Sequence, residues 1–236
     1  MSILTHPRVL PAIDVLDRAQ AVRNAEVAFL LGADGVVFNH CDTDDGLVHR
    51  VAHELKQNWP GKIIGACYTT LGPAAALERS LRYQVDATWT AGADVTSRGA
   101  SAEAREAAGI LGAHGDHHFF ASIPSLDHSD EPHPALAAAR ARELGMIPTT
   151  GCAEAASRAV NKLTTFGSAI GDAPFALAGC TAPGYLGALP VLPSYLFVET
   201  AQYGVQYFDP QLLKTCMSRL AAASVARSTR RLRQAF

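Results

Sequence analysis

Eight short apolar runs alternate with eight alanine- and leucine-rich helical stretches along almost the whole chain, and no other feature narrows the fold so far. The runs are VLPAIDVL (9–16), GVVFNH (35–40), KIIGACYTT (62–70), ATWTAGA (87–93), HHFFASI (117–123), MIPTTG (146–151), PFALAGC (174–180) and SYLFVET (194–200). The helical stretches between and after them fall at about 17–31, 45–58, 73–83, 101–111, 134–144, 153–165, 183–189 and 210–227. The runs are continuous rather than alternating, as strands buried on both faces should be, which calls for a parallel sheet covered by helices. The punctuation agrees. Pro73, Pro134 and Pro210 stand where helices open, Ser101 is a cap-like start, and Gly32 is a stop signal.

Eight βα units in 236 residues predict an α/β fold, a single (β/α)8 TIM barrel, as one domain over 1–236 with a basic helical tail from about 214 to 236. A doubly wound open sheet would carry a glycine-rich fingerprint after its first strand; Val15, Leu16, Asp17 and Arg18 stand there instead.

Charge removes several classes of function. The net charge of −2 hides an asymmetry, because residues 214–236 hold Lys214, Arg219, Arg227, Arg230, Arg231 and Arg233 and no acid, leaving 14 basic against 22 acidic residues in the body. An acidic body does not suit a phosphate backbone, so no nucleic-acid partner is expected. No apolar run is long enough for a signal peptide or a membrane span, so no membrane insertion is expected. Five cysteines, an odd number without a CxxC pair, fit a reducing cytoplasmic setting. The basic tail reads as a solvated helix end, with a protein partner or a homo-oligomer contact through this helix as the other use.

In such barrels the chemistry sits where strands end, on the βα loops. Asp14 is a lone acid in an apolar first strand, and Glu199 ends the eighth; these two are the catalytic candidates, as acid and base. Asn39, His40, Thr69, Asp94, Arg98, Thr150, Glu154, Gly179, Thr181 and Thr200 are the ligand-binding candidates. Asp42, Asp44 and Asp45 beside His40 have the donors for a divalent ion, but HxH and HExxH patterns are absent, and helix capping is the better reading. No metal site is assigned, and no motif requires a cofactor. His114 and His117 fall at a strand entry and read as a solvated turn, whereas His128 and His133 lie in the polar stretch 126–134, a candidate lid. The four lysines, Lys56, Lys62, Lys162 and Lys214, all avoid strand ends, which argues against Schiff-base chemistry. A phosphate site is half present. Ala178 to Thr181 offer loop amides after the seventh strand, while Glu199 puts an acid after the eighth.

With the segments in place, the chain resembles the BtpA family of barrels, within the wider ribulose-phosphate-binding group. The resemblance rests on Ala21 to Val37, on Ala93 to Gly99, on Thr150-Gly151, on Gly179 to Pro183 and on Phe208-Asp209-Pro210, in that order and spacing. It departs from the family at Asn39-His40, where the family has an acid, at Ser122 and Pro124, where it has Asp and His, and at Glu199-Thr200, where it has Gly-Thr. The resemblance implies a barrel that binds a small ligand. Two readings follow. One is an enzyme of the lyase, isomerase or glycosyl-transfer type acting on a small sugar phosphate or nucleoside-like molecule. The other is a non-catalytic binding or assembly protein that kept the barrel and lost the family's acids.

Overall fold

The computed structural model describes residues 7–39, 41–42, 46–123, 131–151, 156–179, 192–199 and 208–234. Its barrel strands are β1 (Arg8–Asp14), β2 (Gly35–Asn39), β3 (Ile63–Tyr68), β4 (Ala87–Thr90), β7 (His118–Ser122), β8 (Ile147–Gly151), β9 (Ala176–Ala178) and β10 (Tyr195–Glu199). A two-stranded antiparallel hairpin, β5 (Val95–Thr96) and β6 (Gly99–Ala100), follows β4. The helices are α1 (Arg18–Leu30), α2 (Leu47–Asn58), α3 (Pro73–Arg82), α4 (Ala102–Ala113), α5 (Pro134–Glu143), α6 (Ala156–Ile170) and α7 (Pro210–Gln234). The eight barrel strands close in the order β1-β10-β9-β8-β7-β4-β3-β2, every pair parallel. The expected (β/α)8 barrel is therefore the fold. The stretch expected to hold a seventh helix, 183–189, lies outside the described residues.

The continuous apolar runs have their reason in the two faces of each strand. Inward positions such as Leu10, Val37, Ala87, Phe120, Ile147, Ala176 and Phe197 form one buried cluster, the barrel interior. Their neighbours Val9, Ile13, Val36, Phe38, Ile64, Phe119, Leu177 and Val198 form the second, under the helices. A buried Leu or Phe contributes about 1.5–3 kcal/mol, so filling both faces is the main stabilisation of each strand.

The interior is filled unevenly. Gly35 and Gly65 let Ile63, Leu10, Val37 and Ala87 close in on one side, and rings fill much of the rest. Phe197 meets Trp89 and Phe120, each at 4.8 Å between ring centroids, and Phe120 meets Tyr195 at 5.0 Å. His118 meets Tyr195 at 5.6 Å, and the Arg8 guanidinium lies 5.9 Å from that same ring. The result is an aromatic column running along the barrel axis.

Local rules place the helices. Asp17 caps α1 by accepting from the Gln20 amide at 2.8 Å, and Ser101 caps α4 by accepting from the Ala104 amide at 3.0 Å. Pro73 and Pro134 occupy first turns, as expected. Gly46, in the left-handed region, is the cap residue of α2, so of the expected capping group Asp42 is not the cap. Asp42 instead works on the next loop, and Asp44 and Asp45 lie outside the described residues.

At the N-terminal rim, two aspartates do matching work. The Asp34 carboxylate accepts from the Val9 amide at 2.8 Å, while the Asp34 amide donates to Val9 O and its carbonyl accepts from Ile63 N. Asp86 repeats this with Ile64 and His118, and also accepts from Lys56 Nζ at 2.6 Å. Lys62 donates to Ala33 O at the same rim. His117 is not a solvated turn residue, a second correction. It is half-buried, its Nε2 lies 2.8 Å from Thr88 Oγ1, and burial holds its pKa down at about 4, with the neighbouring His118 acting in the same direction. His114 is exposed, as expected.

Candidate active site at the barrel mouth

The strand alternation decides which end residues look into the barrel. From the registers, Asp14, Asn39, Cys67, Trp89, Ser122, Thr149, Gly151 and Glu199 share the inward face at or near the C-terminal ends. Asp14, Asn39, Trp89, Ser122, Gly151 and Glu199 are half-buried, forming a ring, while Cys67 and Thr149 are buried below it.

Both catalytic candidates are in this ring, on neighbouring strands. Asn39 Nδ2 donates to Asp14 Oδ1 at 3.1 Å, and Gln20 Nε2 donates to the Asp14 carbonyl at 3.0 Å. Burial raises the Glu199 pKa above the ordinary carboxylate value, and the charge of Asp14 raises it further. A raised carboxyl beside a second acid is the usual arrangement for splitting acid and base roles. Burial pushes the Cys67 thiol up to about 12, and the charges of Asp42 and Glu199 add to this, so it is a neutral group in the mouth.

Across the mouth, the Trp89 Nε1–H donates to Ser122 Oγ at 2.8 Å. Strand β4 stands opposite β10 in the closed order, four places away on either side. The Trp89–Phe197 contact therefore crosses the barrel, and Glu199 stands two residues beyond Phe197 on the same face of β10.

The remaining candidates divide. Thr150 is corrected: it pairs with Leu177 on the helix-facing side of the sheet and is buried there, so Thr149 is the inward threonine. Thr69 is occupied by Asp42, whose carboxylate accepts from the Thr69 amide at 3.0 and 3.1 Å and hydroxyl at 2.7 Å, and from the Thr70 amide and hydroxyl at 2.8 Å each. Burial works against the Asp42 charge, but these bonds hold its pKa at about 2. Arg79 donates to the Asp42 carbonyl and closes the clamp. Asp94 and Arg98 are exposed and belong to the β5–β6 hairpin. Asp94 takes a left-handed φ of 53° and accepts from Ser101 N at 3.0 Å, and the Arg98 amide donates to Thr96 Oγ1. Gly179 follows β9 with a left-handed φ of 74°. His40, Glu154, Thr181 and Thr200 lie outside the described residues, as do His128 and most of the candidate lid.

Sequence reasoning missed two features. Trp89 and its partner Ser122 were legible only through strand parity, since Trp89 sits two residues after inward Ala87. Glu131 had no signal at all. It is buried and accepts from the Ser97 and His133 amides, each at 2.9 Å, tying the hairpin to the segment before α5. Burial alone would raise its pKa, but the bonds from Ser97 and His133 lower it.

In sequence, the strand-to-helix segments are acidic. The segments between each barrel strand's end and the next helix carry Asp14, Asp17, Asp42, Asp44, Asp45, Asp94, Asp127, Asp130, Glu131, Glu154, Glu199 and Asp209, against Arg98 as their one Lys or Arg. Two depressions of about 570 and 390 Å³ open at the opposite, N-terminal face, the first by Arg142, Ile147 and Asp172, the second by Asp86, His114 and His117. That end of a barrel carries stability rather than chemistry, and the Arg142 guanidinium there donates to Ile170 O. Among the described residues no group of three His, Cys, Asp or Glu has a metal-holding arrangement, and no helix is long and apolar enough to cross a membrane.

No protein-family model matches the chain, and no curated protein matches it. Solved structures do. The 3-keto-L-gulonate-6-phosphate decarboxylase of Vibrio cholerae is similar with a TM-score of 0.63 at 13% identity, covering 92% of this chain and 98% of its own. A 3-hexulose-6-phosphate synthase gives 0.61 at 15%, covering 89% and 99%. The 2-keto-3-deoxy-6-phosphogluconate aldolase of Zymomonas mobilis gives 0.60 at 14%, covering 94% and 95%. At these identities the likeness is one of fold.

Proposed function

We propose that this chain is a diverged BtpA-like barrel enzyme, of the lyase, isomerase or glycosyl-transfer type, acting by acid–base catalysis on a small sugar-phosphate or nucleoside-like ligand at the barrel mouth. The observation that carries the reading is the Asp14–Glu199 pair: inward, half-buried, on adjacent strands, with the Glu199 pKa raised by burial and by Asp14. In this scheme Asp14, held by Asn39, takes a proton or steadies developing positive charge. Glu199, kept protonated to higher pH, delivers a proton to the departing or rearranging oxygen. An amine nucleophile has no place in the scheme. Lys56 and Lys62 are engaged at the other rim, and Lys162 and Lys214 ride on α6 and α7. The sugar-phosphate barrels of the same fold support the ligand class by likeness alone.

The test is a thermal-shift panel of D-ribose 5-phosphate, D-ribulose 5-phosphate, adenosine and uridine, followed by turnover of whatever binds. Ligand at about 100 times its Kd adds about 2.7 kcal/mol, a shift of roughly 5–10 °C for a chain of this size. Glu199→Gln and Asp14→Asn, which keep an oxygen acceptor at each position, should reduce the shift far less than turnover, which falls by about 100-fold or more. Activity carried by Glu199 as acid should fall as pH rises through its raised pKa. Variants that turn over like the parent protein would end the acid–base reading.

The non-catalytic reading draws on α7. It runs 25 residues against 15 for α6, the next longest, and its described buried positions end at Ser224, before the basic cluster. Removal of residues 226–236 that abolishes capture of a protein partner, in a protein with no turnover, would favour assembly over catalysis.

A further inference from the structure

The mouth has two chemically different sides, and their separation restricts what can span it. On one side, Asp14 and Glu199 stand on adjacent strands as paired hydrogen-bond acceptors, with Asn39 bonded to Asp14. From the opposite wall, Trp89 reaches across to Phe197 and forms the floor. The indole is fixed in place: its N–H is held by Ser122, and one ring contact rests on Phe197. It is nevertheless half-exposed, at a strand end where exposure means the mouth. A flat, immobilised aromatic surface is a stacking platform, since every nucleobase has a π-face to lay on it. Neighbouring carboxyl groups suit vicinal hydroxyls, as acidic residues do at ribose elsewhere. The third constraint is charge. The described inward ring of Asp14, Asn39, Trp89, Ser122, Gly151 and Glu199 holds two carboxyl groups and no Lys or Arg, which disfavours phosphate beside them.

We propose that Trp89 is the specificity platform of this site and that its ligand is an uncharged nucleoside, the base stacked on the indole and the ribose hydroxyls on Asp14 and Glu199. Ser122 is a positioning residue, acting through the indole N–H. The proposal rests on the barrel-mouth reading above and selects its nucleoside branch over its sugar-phosphate branch.

The chain has two tryptophans, Trp59 and Trp89, and Trp59 packs against Phe29 outside the barrel. A full-length Trp59→Phe protein therefore reports on Trp89 alone. Uridine and adenosine should change its emission saturably. Uridine 5′-monophosphate and D-ribose 5-phosphate should bind at least tenfold more weakly than uridine. In the otherwise native chain, Trp89→Leu should weaken uridine binding, read by calorimetry, roughly tenfold or more, and Trp89→Phe should restore most of it. Ser122→Ala leaves the indole in place and releases its N–H. It should weaken uridine binding several-fold, with Ser122→Thr rescuing it, and this variant serves if Trp89→Leu does not fold. The proposal is overturned by phosphorylated ligands binding as tightly as uridine, by uridine binding unchanged in Trp89→Leu or Ser122→Ala, or by no nucleoside signal at all. Nucleoside binding without turnover would remove the catalytic reading and leave this one standing. Sugar-phosphate turnover without nucleoside binding would do the reverse.

Discussion

Replacing Gly35 by alanine adds one methyl group at the tightest point of the barrel interior. A Cβ there would stand 2.2 Å from Ile63 O, 2.7 Å from Ile63 Cβ and 2.7 Å from Leu10 Cδ2. Ordinary contact begins near 3.4 Å, so the overlap with Ile63 O is about 1 Å. Two of the three obstacles are backbone or Cβ atoms of the neighbouring strand, paired with Gly35 in register, and cannot rotate away. Overpacking of this kind costs about 1–3 kcal/mol, and the fixed obstacles place Gly35→Ala at the upper end. The entropy gained by replacing glycine, about 0.5–1 kcal/mol, offsets part of this. The expected net loss is about 2–3 kcal/mol, or roughly 5–10 °C in Tm. The control is the same chemical change at Gly109, exposed within α4, where an added Cβ meets nothing within 4 Å. Gly109→Ala should stabilise by about 1 kcal/mol through helix propensity. Paired thermal and urea melts read both. A Gly35→Ala protein within about 0.5 kcal/mol of the parent, or shifted in the same direction as Gly109→Ala, would refute the close-approach reasoning.

Three further outcomes follow from the structure. His117 titrates at about 4 in the fold and near 6.5 when unfolded, so the unfolded chain takes the proton first; its contribution is full above about pH 6.5 and fades as pH falls toward 4. Up to about 3 kcal/mol is at stake, and urea midpoints at about pH 7.5 and about pH 4.5 should converge for His117→Gln relative to the parent. Cys67, with its pKa pushed up to about 12 by burial, should resist iodoacetamide in the folded protein and label once urea unfolds it, as peptide mapping would read. Gln84 holds a left-handed φ of 56° at the turn after α3, where the equivalent turn after α1 uses Gly32, so Gln84→Gly should raise stability by about 0.5–1 kcal/mol in a thermal melt.

The architecture was legible because each strand is buried on both faces and reads as an unbroken apolar run. The run 62–70 became β3 over 63–68, and 194–200 became β10 over 195–199. The excess residues are polar flanks: Lys62 and Ser194 at the N-terminal rim, Thr69 and Thr70 at the mouth. Helix ends were less legible. The sequence reading stopped one helix at 165, but α6 runs to Ile170, because Phe166 and Ile170 are buried beneath it and packing outweighs the cost of Gly167. The β5–β6 hairpin went unforeseen, since its two-residue strands are shorter than any periodic signal. At the site, Asp14 and Glu199 stood out as acids in apolar strands. Thr150 misled because a one-residue shift in a strand reverses the face, which no count along the sequence reveals without the register. Glu131 was hidden for a different reason: its partners, the Ser97 and His133 amides, are backbone groups and leave no side-chain signature.

The two rim aspartates have a consequence for where this chain can be reopened. Asp34 fastens β1 to β3 across the start of β2, and Asp86 fastens β3 to β7 across the start of β4. Since both engage adjacent residues at the start of β3, five successive strands are sewn together by one continuous seam. Circular permutants opened in the α1–β2 or α3–β4 turns would sever a stitch and lose the fastening of three strands at once. New termini placed between α5 and β8 would leave the seam whole, so the barrel's tolerance to rewiring should be as uneven around its circumference as the stitching is.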